Sequence, residues 1–484
     1  MKTKPINLWN IALLSLLICT SCNDLNDPTQ EDNIIEDSTP TPPVAAKGFF
    51  VANEDWFGHD EGTVNYFLKN GDNYDITYRA YRNANEGETL GTTTEFGTIW
   101  GDCIYLISKQ GTRMVVTDAT TLKKKVSITD LQGDGRYFIG IDDQKGYVST
   151  SNGIIVFDIA QLKTGNAIEG ITGEIGNMCY ANGKVFAVSS RKIYVIDAHT
   201  DQLIHTIEGS FNSITQSKDG TIWGGGSDKL MKINPETLET TEIDYPDGQK
   251  MSNVWGAWNA GSFCASTQKN VLYWASGGGM FGGAKSIVQY NIDTNTANTN
   301  FYKLGISDEG QQLCFYGAGL RVDPLTDELI LTVCHDGWGS SYLYNWIYKI
   351  NNEGQEITHF GLKGNNGTAG EGEWYYWFPA IPFFEDANKP QILLNQISLA
   401  PGETKTINLN DKVVDYDNIQ STIQKSVEFA NEDLFSKINL ENGILTITAG
   451  NTTGETTCTI DVISNGVRIT KTIQAIITAN SKVQ

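Results

Sequence analysis

Residues that could carry out catalysis are few in this chain of 484 residues. There are five histidines, and neither the H-E-x-x-H motif of zinc peptidases nor the G-x-S-x-G motif of serine hydrolases occurs. The run GGGMFGGAKS at 277–286 resembles a phosphate loop. However, Ala284 separates Gly283 from Lys285 and no helix pattern follows, so a flexible loop is favoured. The sequence therefore predicts a protein that is not an enzyme and holds no metal and no cofactor.

Large aromatic side chains concentrate in segments that the sequence predicts to be long loops or insertions. Flat apolar rings with a polar edge suit sugar rings or a large conjugated ligand. The alternative is that these rings belong to the core, which is favoured for Trp100, Trp223 and the YYWF run at 375–378. The candidate ligand-binding residues are Trp56, Trp274, Phe281, His335, Trp338 and Tyr342.

The N-terminus has the features of a secretory signal. A basic start, an apolar run over residues 6–18 and two small residues precede Cys22. This pattern predicts a lipoprotein signal peptide over residues 1–21 and lipidation of Cys22, with simple secretion as the alternative. We therefore expect a protein on the outer membrane, anchored through its lipid alone and facing the cell exterior.

Charge and composition narrow the class of partner. The net charge of −22 argues against nucleic acid and against adsorption to anionic lipid, since both favour basic patches. Residues 22–47 are acidic and proline-rich with almost no large apolar side chains, which predicts an extended tether. The remaining chain is long enough for more than one domain.

A repeated phrase of alternating apolar residues, an Asp or Asn and a Thr-containing turn predicts the fold. Its turn residues are Asp118, Asp158, Asp197 and Asn234, so the steps are 40, 39 and 37 residues. Alternation favours strands, and a period near forty with about four strands is typical of a propeller blade. With the less regular copies, residues 48–387 are predicted to form a seven-bladed β-propeller. The segment from Trp374 to Phe384 would complete the first blade.

The predicted ring places the aromatic insertions together. Closure makes the first, sixth and seventh blades neighbours, and their inter-strand loops open on one face. Residues 388–484 have short alternating runs that predict a small immunoglobulin-like β-sandwich, so the whole protein is expected to be all-β. Asp411, Asp415 and Asp417 suit calcium, but polar strand edges explain them better. Cys314 and Cys334 form a possible disulfide that the sequence cannot establish.

Three segments resemble a known family. They are FFVANEDWFGHDEGTVNYF from Phe49, the VVTDATTL phrase, and YYWFPAIPFFED ending at Asp386. They are similar to the opening, intra-blade and closing motifs of the YncE-like, DUF5074-type surface propellers. Asp55 and Thr63 depart from the family's opening motif, which has Gly and Ser at these places.

The resemblance implies a function in nutrient capture. Some members are surface lipoproteins that capture cobalamin and deliver it to a TonB-dependent outer-membrane transporter. We therefore expect an extracellular corrinoid as ligand, or a glycan, with a transporter of that kind as partner. The alternatives are an adhesion or envelope-scaffolding protein and, with less support, a propeller lyase or lactonase.

Overall fold

The computed structural model describes residues 35–71, 73–252, 261–278, 283–364 and 372–479. Among these residues, no helix has the length and apolar character needed to cross a membrane. Strands dominate, and the α-helix of the described chain is one short segment after the first three strands. These first elements are β1 (Gly48–Asn53), β2 (Thr63–Asn70), β3 (Asn73–Thr77) and α1 (Ala80–Ala84).

Six four-stranded antiparallel sheets then follow one another along the chain. Sheet two contains β4 (Thr92–Trp100), β5 (Cys103–Gln110), β6 (Met114–Asp118) and β7 (Lys124–Ile128). Sheet three contains β8 (Gly135–Gly140), β9 (Lys145–Thr150), β10 (Gly153–Asp158) and β11 (Lys163–Ala167). Sheet four contains β12 (Met178–Ala181), β13 (Lys184–Ser189), β14 (Lys192–Asp197) and β15 (Gln202–Glu208).

The next three sheets continue the pattern. Sheet five contains β16 (Phe211–Gln216), β17 (Ile222–Gly226), β18 (Lys229–Ile233) and β19 (Thr240–Asp244). Sheet six contains β20 (Cys264–Ala265), β21 (Val271–Ser276), β22 (Ser286–Asn291) and β23 (Thr296–Lys303). Sheet seven contains β24 (Leu313–Val322), β25 (Leu329–His335), β26 (Asn345–Ile350) and β27 (Glu356–Gly361).

The chain then returns to its first sheet. Strand β28 (Pro379–Phe384) pairs antiparallel with β1, so sheet one has the order β28-β1-β2-β3. The first strand of each sheet contacts that of the next, and β24 contacts β28. The succession of sheets therefore closes on itself in a propeller-like arrangement, which leaves only short, protected strand edges. The expected closing strand is present, but it covers Pro379–Phe384 and not the whole segment from Trp374 to Phe384.

Burial follows position within a sheet. The second strands are almost wholly buried, as in β5 and β21, because each is covered on both faces by neighbouring sheets. The fourth strands, such as β7 and β11, are mostly exposed and carry polar residues such as Lys124, Lys163 and Asn166. This gradient explains why continuous apolar runs and alternating runs recur in the sequence at the same period.

The recurrent Asp or Asn makes the turn between third and fourth strands. Asp118 Oδ1 accepts hydrogen bonds from the backbone N–H groups of Thr120 and Thr121, at 3.1 and 2.8 Å. Asp197 and Asn234 accept the equivalent pairs in their own turns. These side chains replace backbone partners at a tight bend, which is why only Asp or Asn recurs there. The strands and turns predicted from the repeat are confirmed.

A separate β-module follows the seventh sheet. Its strands are β29 (Gln391–Ile392), β30 (Gln396–Leu399), β31 (Thr404–Asn408), β32 (Val413–Val414), β33 (Gln424–Phe429), β34 (Phe435–Glu441), β35 (Ile444–Ala449), β36 (Gly454–Ser464) and β37 (Val467–Ile477). They form the sheets β30-β37-β36-β33 and β31-β35-β34 and the pair β29-β32. The two larger sheets enclose one apolar core, centred on Leu399, Leu445 and Ile460.

The N-terminal segment differs from the free tether that the sequence predicts. Over its described part, residues 35–47, it lies along the C-terminal module. Ser38 N donates to Leu393 O at 2.8 Å, and Thr41 N to Gln391 Oε1 at 2.8 Å. Asp37 forms an ion pair with Lys412 at 2.8 Å. The composition of this segment indicates that it forms no core of its own. Its backbone N–H groups are nevertheless hydrogen-bonded to the C-terminal module, which is distant in sequence.

Candidate ligand-binding site

The ring of seven sheets has two opposite ends, and they differ in the segments that cover them. At one end, the turns between first and second strands contact the C-terminal module, and we call this the capped end. Gly101 N donates to Asn465 O at 2.6 Å, and Asn182 N to Ser421 O at 3.2 Å. Gln268 Nε2 donates to Tyr416 O at 2.7 Å, and Arg468 pairs with Asp143 at 2.8 Å. These contacts come from sheets two, four, six and three, so the module covers the middle of this end.

The opposite end, which we call the loop end, carries the long connections. Strands alternate in direction, so loops between second and third strands and connections between sheets emerge there. The long ones include residues 54–62 of sheet one, 336–344 of sheet seven and the connection that precedes β28. Since sheets one and seven are neighbours, these three segments meet. The sequence predicted a meeting of insertions from the first, sixth and seventh blades, and part of the sixth-blade insertion lies outside the described residues.

A continuous row of aromatic rings joins the three segments. We call it the aromatic ribbon, and it consists of Trp56, Tyr376, Phe378, Tyr342 and Trp338. Consecutive ring centroids are separated by 4.6, 6.1, 5.3 and 6.5 Å. The two end residues are the exposed ones, at 37% for Trp56 and 58% for Trp338, and the middle rings are half-buried. Offset and edge-to-face contacts of this kind hold the rings in fixed positions.

Buried charges position the first end of the ribbon. Asp55 is buried beside Trp56, accepts a hydrogen bond from Thr63 Oγ1 and lies 3.9 Å from the Arg79 guanidinium. Asp60 closes the same loop by pairing with Arg82 at 2.9 Å and accepting from Tyr375 Oη at 3.2 Å. The loop backbone is therefore fixed at both sides of Trp56.

A second stabilising contact lies within the loop. The His59 ring stacks on the Trp56 indole at 3.8 Å, with an interplanar angle of 23°. The N–H groups of His59 and Asp60 donate to Trp56 O at 2.8 and 2.9 Å, which makes a tight turn. One face of the indole is thus supported by its own loop, and Tyr376 lies against the ring system from the neighbouring segment.

The middle of the ribbon depends on an unusual backbone conformation. Phe378 has φ of 48°, in the left-handed region that non-glycine residues rarely adopt. Its carbonyl accepts from Glu54 N at 3.0 Å, and Trp377 O accepts from Asp55 N at 3.1 Å. These bonds continue the pairing of β1 and β28 into the loops and hold the strained residue in place.

The Trp338 end of the ribbon is held by a hydrogen bond and an ion pair between neighbouring sheets. Asp336, two residues before Trp338, accepts from Gly283 N at 2.9 Å and pairs with Lys285 Nζ at 2.7 Å, so sheet six supports the loop of sheet seven. A short 3-10 helix, Gly339–Leu343, carries Tyr342. Asn345 Nδ2 donates to Tyr342 O at 3.0 Å and to Tyr375 O at 3.1 Å, which links this loop to the connection before β28.

A carboxyl group lies below the middle of the ribbon. Tyr316 packs its ring on Phe378 and Tyr342, at 5.4 and 5.8 Å, and donates its hydroxyl to Glu54 Oε1 at 3.0 Å. Burial, followed by repulsion from Glu95, raises the pKa of Glu54 to about 8. Glu54 is therefore mostly protonated at neutral pH and can donate a hydrogen bond as well as accept one.

Three of the predicted site residues come together and two lie elsewhere. Trp56, Trp338 and Tyr342 all belong to the ribbon. Trp274, expected in a loop, lies in β21 with 0% exposure, and its Nε1 donates to Gln249 O at 2.9 Å, so that placement is wrong. The sequence context was misleading because the glycine-rich segment begins only after the strand ends. Phe281 and Cys22 lie outside the described residues.

His335 is also a core residue. It ends β25 with 0% exposure, and its ring stacks on Tyr344 at 4.5 Å and contacts Trp346 at 4.9 Å. Nε2 is hydrogen-bonded to Ser307 Oγ at 2.8 Å. Burial lowers the pKa of this imidazole, which favours the neutral form. The side chain thus supports the loop from below, in place of the ligand contact that the sequence predicted.

Sequence reasoning missed Tyr376 and Phe378, which it assigned to the core with their neighbours. The alternation within the run at 375–378 was an available signal. Tyr375 and Trp377 are buried, at 6% and 0% exposure, while Tyr376 and Phe378 point to the other side. The alternation holds although the segment is not a regular strand, since Trp377 N donates to Tyr375 O at 2.9 Å and Phe378 has positive φ. Among the described residues, no group of three or more His, Cys, Asp or Glu is arranged to hold a metal ion.

These features define an all-β, propeller-like protein with one capped end and one aromatic end. The family model described as a domain of unknown function, DUF5074, matches residues 47–385. The chain therefore belongs to the DUF5074 family, and the resemblance found in its three motifs is confirmed.

A solved structure supports the fold. It is a quinonprotein alcohol dehydrogenase-like protein from Bacteroides thetaiotaomicron VPI-5482, with 17% sequence identity and a TM-score of 0.52. The match covers 70% of this chain and 78% of that one. At this identity the similarity extends to the architecture alone. The comparison with curated proteins found no match.

Proposed function

We propose that this protein is a lipid-anchored outer-surface protein that captures an extracellular ligand on its aromatic ribbon. The observation that carries the proposal is the ribbon itself, because five rings from three loops form one continuous row that is exposed at both ends. Exposed aromatic rows of this kind are typical of binding surfaces. The protein binds its ligand and releases it unchanged, so the proposal includes no chemical step.

The architecture fits such a role. The seven sheets act as the blades of a closed propeller, and the C-terminal module, of immunoglobulin-like type, covers the capped end. A closed ring of antiparallel sheets is a rigid scaffold, so the loops at its other end are held in place with little loss of entropy on binding. The ion pairs of Asp60 and Asp336 support this view, because they fix the loops that carry the two ends of the ribbon.

The ligand is a cobalamin or another corrinoid by the family resemblance, or alternatively a glycan. Both present rigid apolar faces bordered by polar groups, which suits half-buried rings around a carboxyl group at Glu54. After capture, the ligand passes to a TonB-dependent outer-membrane transporter. The loop end would then be the surface from which the ligand is transferred.

The path of the N-terminal segment supports an outward orientation of the ribbon. Residues 35–47 lie along the C-terminal module, and β1 begins at the capped end. Twelve residues separate Cys22 from Ile35, so these two residues can lie at most about 45 Å apart when the chain is fully extended. An anchor at Cys22 would therefore keep the capped end near the membrane and leave the loop end turned away from it.

Calorimetry on the mature chain from Cys22 tests this function. Cyanocobalamin and a panel of neutral oligosaccharides are titrated separately, and we expect one of the two classes to bind. Trp56→Ala and Trp338→Ala should each weaken that binding about tenfold or more, because a few large aromatic side chains carry most of the binding energy in such interfaces. Phe57→Ala is the matched control, since this neighbouring ring is 70% exposed but is not part of the ribbon.

Two outcomes would contradict the proposal. If neither class releases heat nor comigrates with the protein on gel filtration, capture of corrinoids and neutral glycans is excluded. If one class binds but Phe57→Ala weakens it as much as Trp56→Ala does, the ribbon is not the binding surface.

A further inference from the structure

Two cysteines face each other within sheet seven. Cys314 of β24 and Cys334 of β25 are direct partners in the antiparallel register, and their Sγ atoms are 3.7 Å apart. Both are buried, at 4% and 1% exposure. Cys334 immediately precedes His335 and the loop that carries Tyr342 and Trp338, so the pair lies at the base of that loop.

The geometry suits a cross-strand disulfide. Directly opposed residues of an antiparallel pair have Cα atoms about 4.5–5.5 Å apart, within the range of about 4.4–6.8 Å found for disulfides. The sulfur atoms need to approach by less than about 2 Å to reach the bond length of about 2.05 Å. A rotation of the side chains supplies this, since the backbone separation is already suitable.

The other cysteines of the described chain have different partners. In their strand registers, Cys103 faces Asp118, Cys179 faces Phe186, Cys264 faces Tyr273 and Cys458 faces Phe429 and Ile473. Each of these thiols therefore lies opposite an aromatic, aliphatic or acidic residue. The juxtaposition of two thiols is specific to sheet seven among the paired strands that the structure describes.

We propose that Cys314 and Cys334 form a disulfide that fastens the base of the loop carrying Trp338. The oxidant is an external disulfide, either a small molecule or the active-site disulfide of a thiol oxidoreductase. One cysteine, as thiolate, attacks the external disulfide, giving a mixed disulfide and releasing one thiol. The second cysteine then attacks the mixed disulfide and releases the second thiol. The two cysteines lose two electrons and two protons, and the external disulfide gains them.

The timing of this reaction follows from burial. The hydrogen bond to Cys314 and burial raise the pKa of the Cys334 thiol well above its usual range, so the thiolate form is scarce in the folded protein. Exchange in the native state is therefore slow. We expect the bond to form mainly while β24 and β25 are still exposed during folding, and to be protected from reduction afterwards.

Thiol counting tests the bond on the full mature chain. The protein is unfolded and refolded with oxidised and reduced glutathione, then denatured and alkylated. The predicted mature chain begins at Cys22, and Cys22→Ser is introduced for this test, so six cysteines remain. We expect four to be alkylated, and peptide mapping to show a linked pair at residues 314 and 334 that disappears after reduction. The oxidised protein should melt at least about 2 °C higher than the reduced one.

Matched variants complete the test. Cys314→Ser should leave Cys334 alkylated, whereas Cys264→Ser, a buried cysteine of the neighbouring sheet, should keep the linked pair. Six alkylated thiols in the refolded Cys22→Ser protein would overturn the proposal, and so would a linked pair between other cysteines. The mapping is done on the chain that carries Cys22→Ser alone, so it remains decisive if another variant fails to fold. It is also independent of ligand binding, and its failure would leave the proposed function untouched.

Discussion

At the scale of single residues, Arg79 is the charge that supports the loop of Trp56. Its guanidinium is buried, lies 3.9 Å from Asp55 and 3.8 Å from Asp60, and is stacked over Tyr375 and Trp377 at 4.8 and 4.4 Å. Burial raises the pKa of Asp55 to about 7 in spite of this neighbour. The hydrogen bond from Thr63 and then the charge of Arg79 favour the ionised form of this carboxyl group.

Arg79→Met is expected to lower the free energy of unfolding by about 3 kcal/mol, because it leaves a buried carboxyl group without its opposing charge. Denaturant unfolding followed by tryptophan fluorescence measures the loss. Arg82→Met should cost less than about 1 kcal/mol, since this side chain is 22% exposed and its ion pair is accessible to water. Adding Asp55→Asn to Arg79→Met should recover part of the loss. If it recovers none, the guanidinium acts through packing on the rings alone.

At the scale of elements, the same turn is built repeatedly to connect third and fourth strands. The Asp or Asn accepts hydrogen bonds from the following backbone, and the residue four positions later has positive φ, as at Leu122, Leu162 and Leu238. A leucine in this conformation costs free energy, which the side-chain hydrogen bonds of the turn offset. The turn residue thus sets the register of the outer strand.

Asp118→Ala is expected to destabilise the protein by about 1 kcal/mol, since two backbone N–H groups lose their acceptor. Asn234→Ala should have a similar effect in sheet five, where the same two bonds are made. Thr120→Ala is the control, because its backbone N–H keeps Asp118 as acceptor. Thermal unfolding of the three variants distinguishes the turn residues from the control. Equal midpoints for all three would contradict the assigned role.

At the scale of the whole molecule, the C-terminal module is joined to the sheets around a group of acidic side chains. Asp386 follows β28, while Asp415 and Asp417 belong to the module, and Asn388 Nδ2 donates to Asp417 Oδ2 at 3.1 Å. Burial and the neighbouring Asp417 raise the pKa of Asp386 to about 7. Burial and Asp417 likewise raise that of Asp415 to about 8. The sequence favoured polar strand-edge residues here, but Asp415 and Asp417 are each only 8% exposed.

This group should make stability depend on pH. The folded protein holds protons on Asp415 and Asp386 that the unfolded chain loses near pH 4, so the free energy of unfolding should fall as the pH rises from about 4 to 8. Asp415→Asn should therefore raise stability by about 1–2 kcal/mol at pH 8 and have little effect at pH 4. The exposed Asp411→Asn is the control. Thermal unfolding measured across this range would contradict the assignment if Asp415→Asn had the same effect at both ends.

The sequence by itself determined the repeated unit, because each four-stranded sheet is encoded locally. Strand alternation, the turn at Asp118 and its copies, and the apolar runs all lie within about forty residues of one another. The return of the last strand to β1 was also predictable, since a leftover strand has to pair where an edge is open. The three motifs then identified the family.

Only the tertiary structure decided which aromatic residues meet and which are buried. The ribbon joins Trp56 to Tyr376 and Trp338, residues that are hundreds of positions apart or lie on different loops, and no local pattern encodes such contacts. Trp274 and His335 also lie in aromatic-rich segments of the sequence, yet both side chains are buried, because neighbouring sheets cover them. The module's position over the capped end is likewise a long-range contact. It determines which end remains free for a ligand, because burial depends on what the rest of the chain places against a residue.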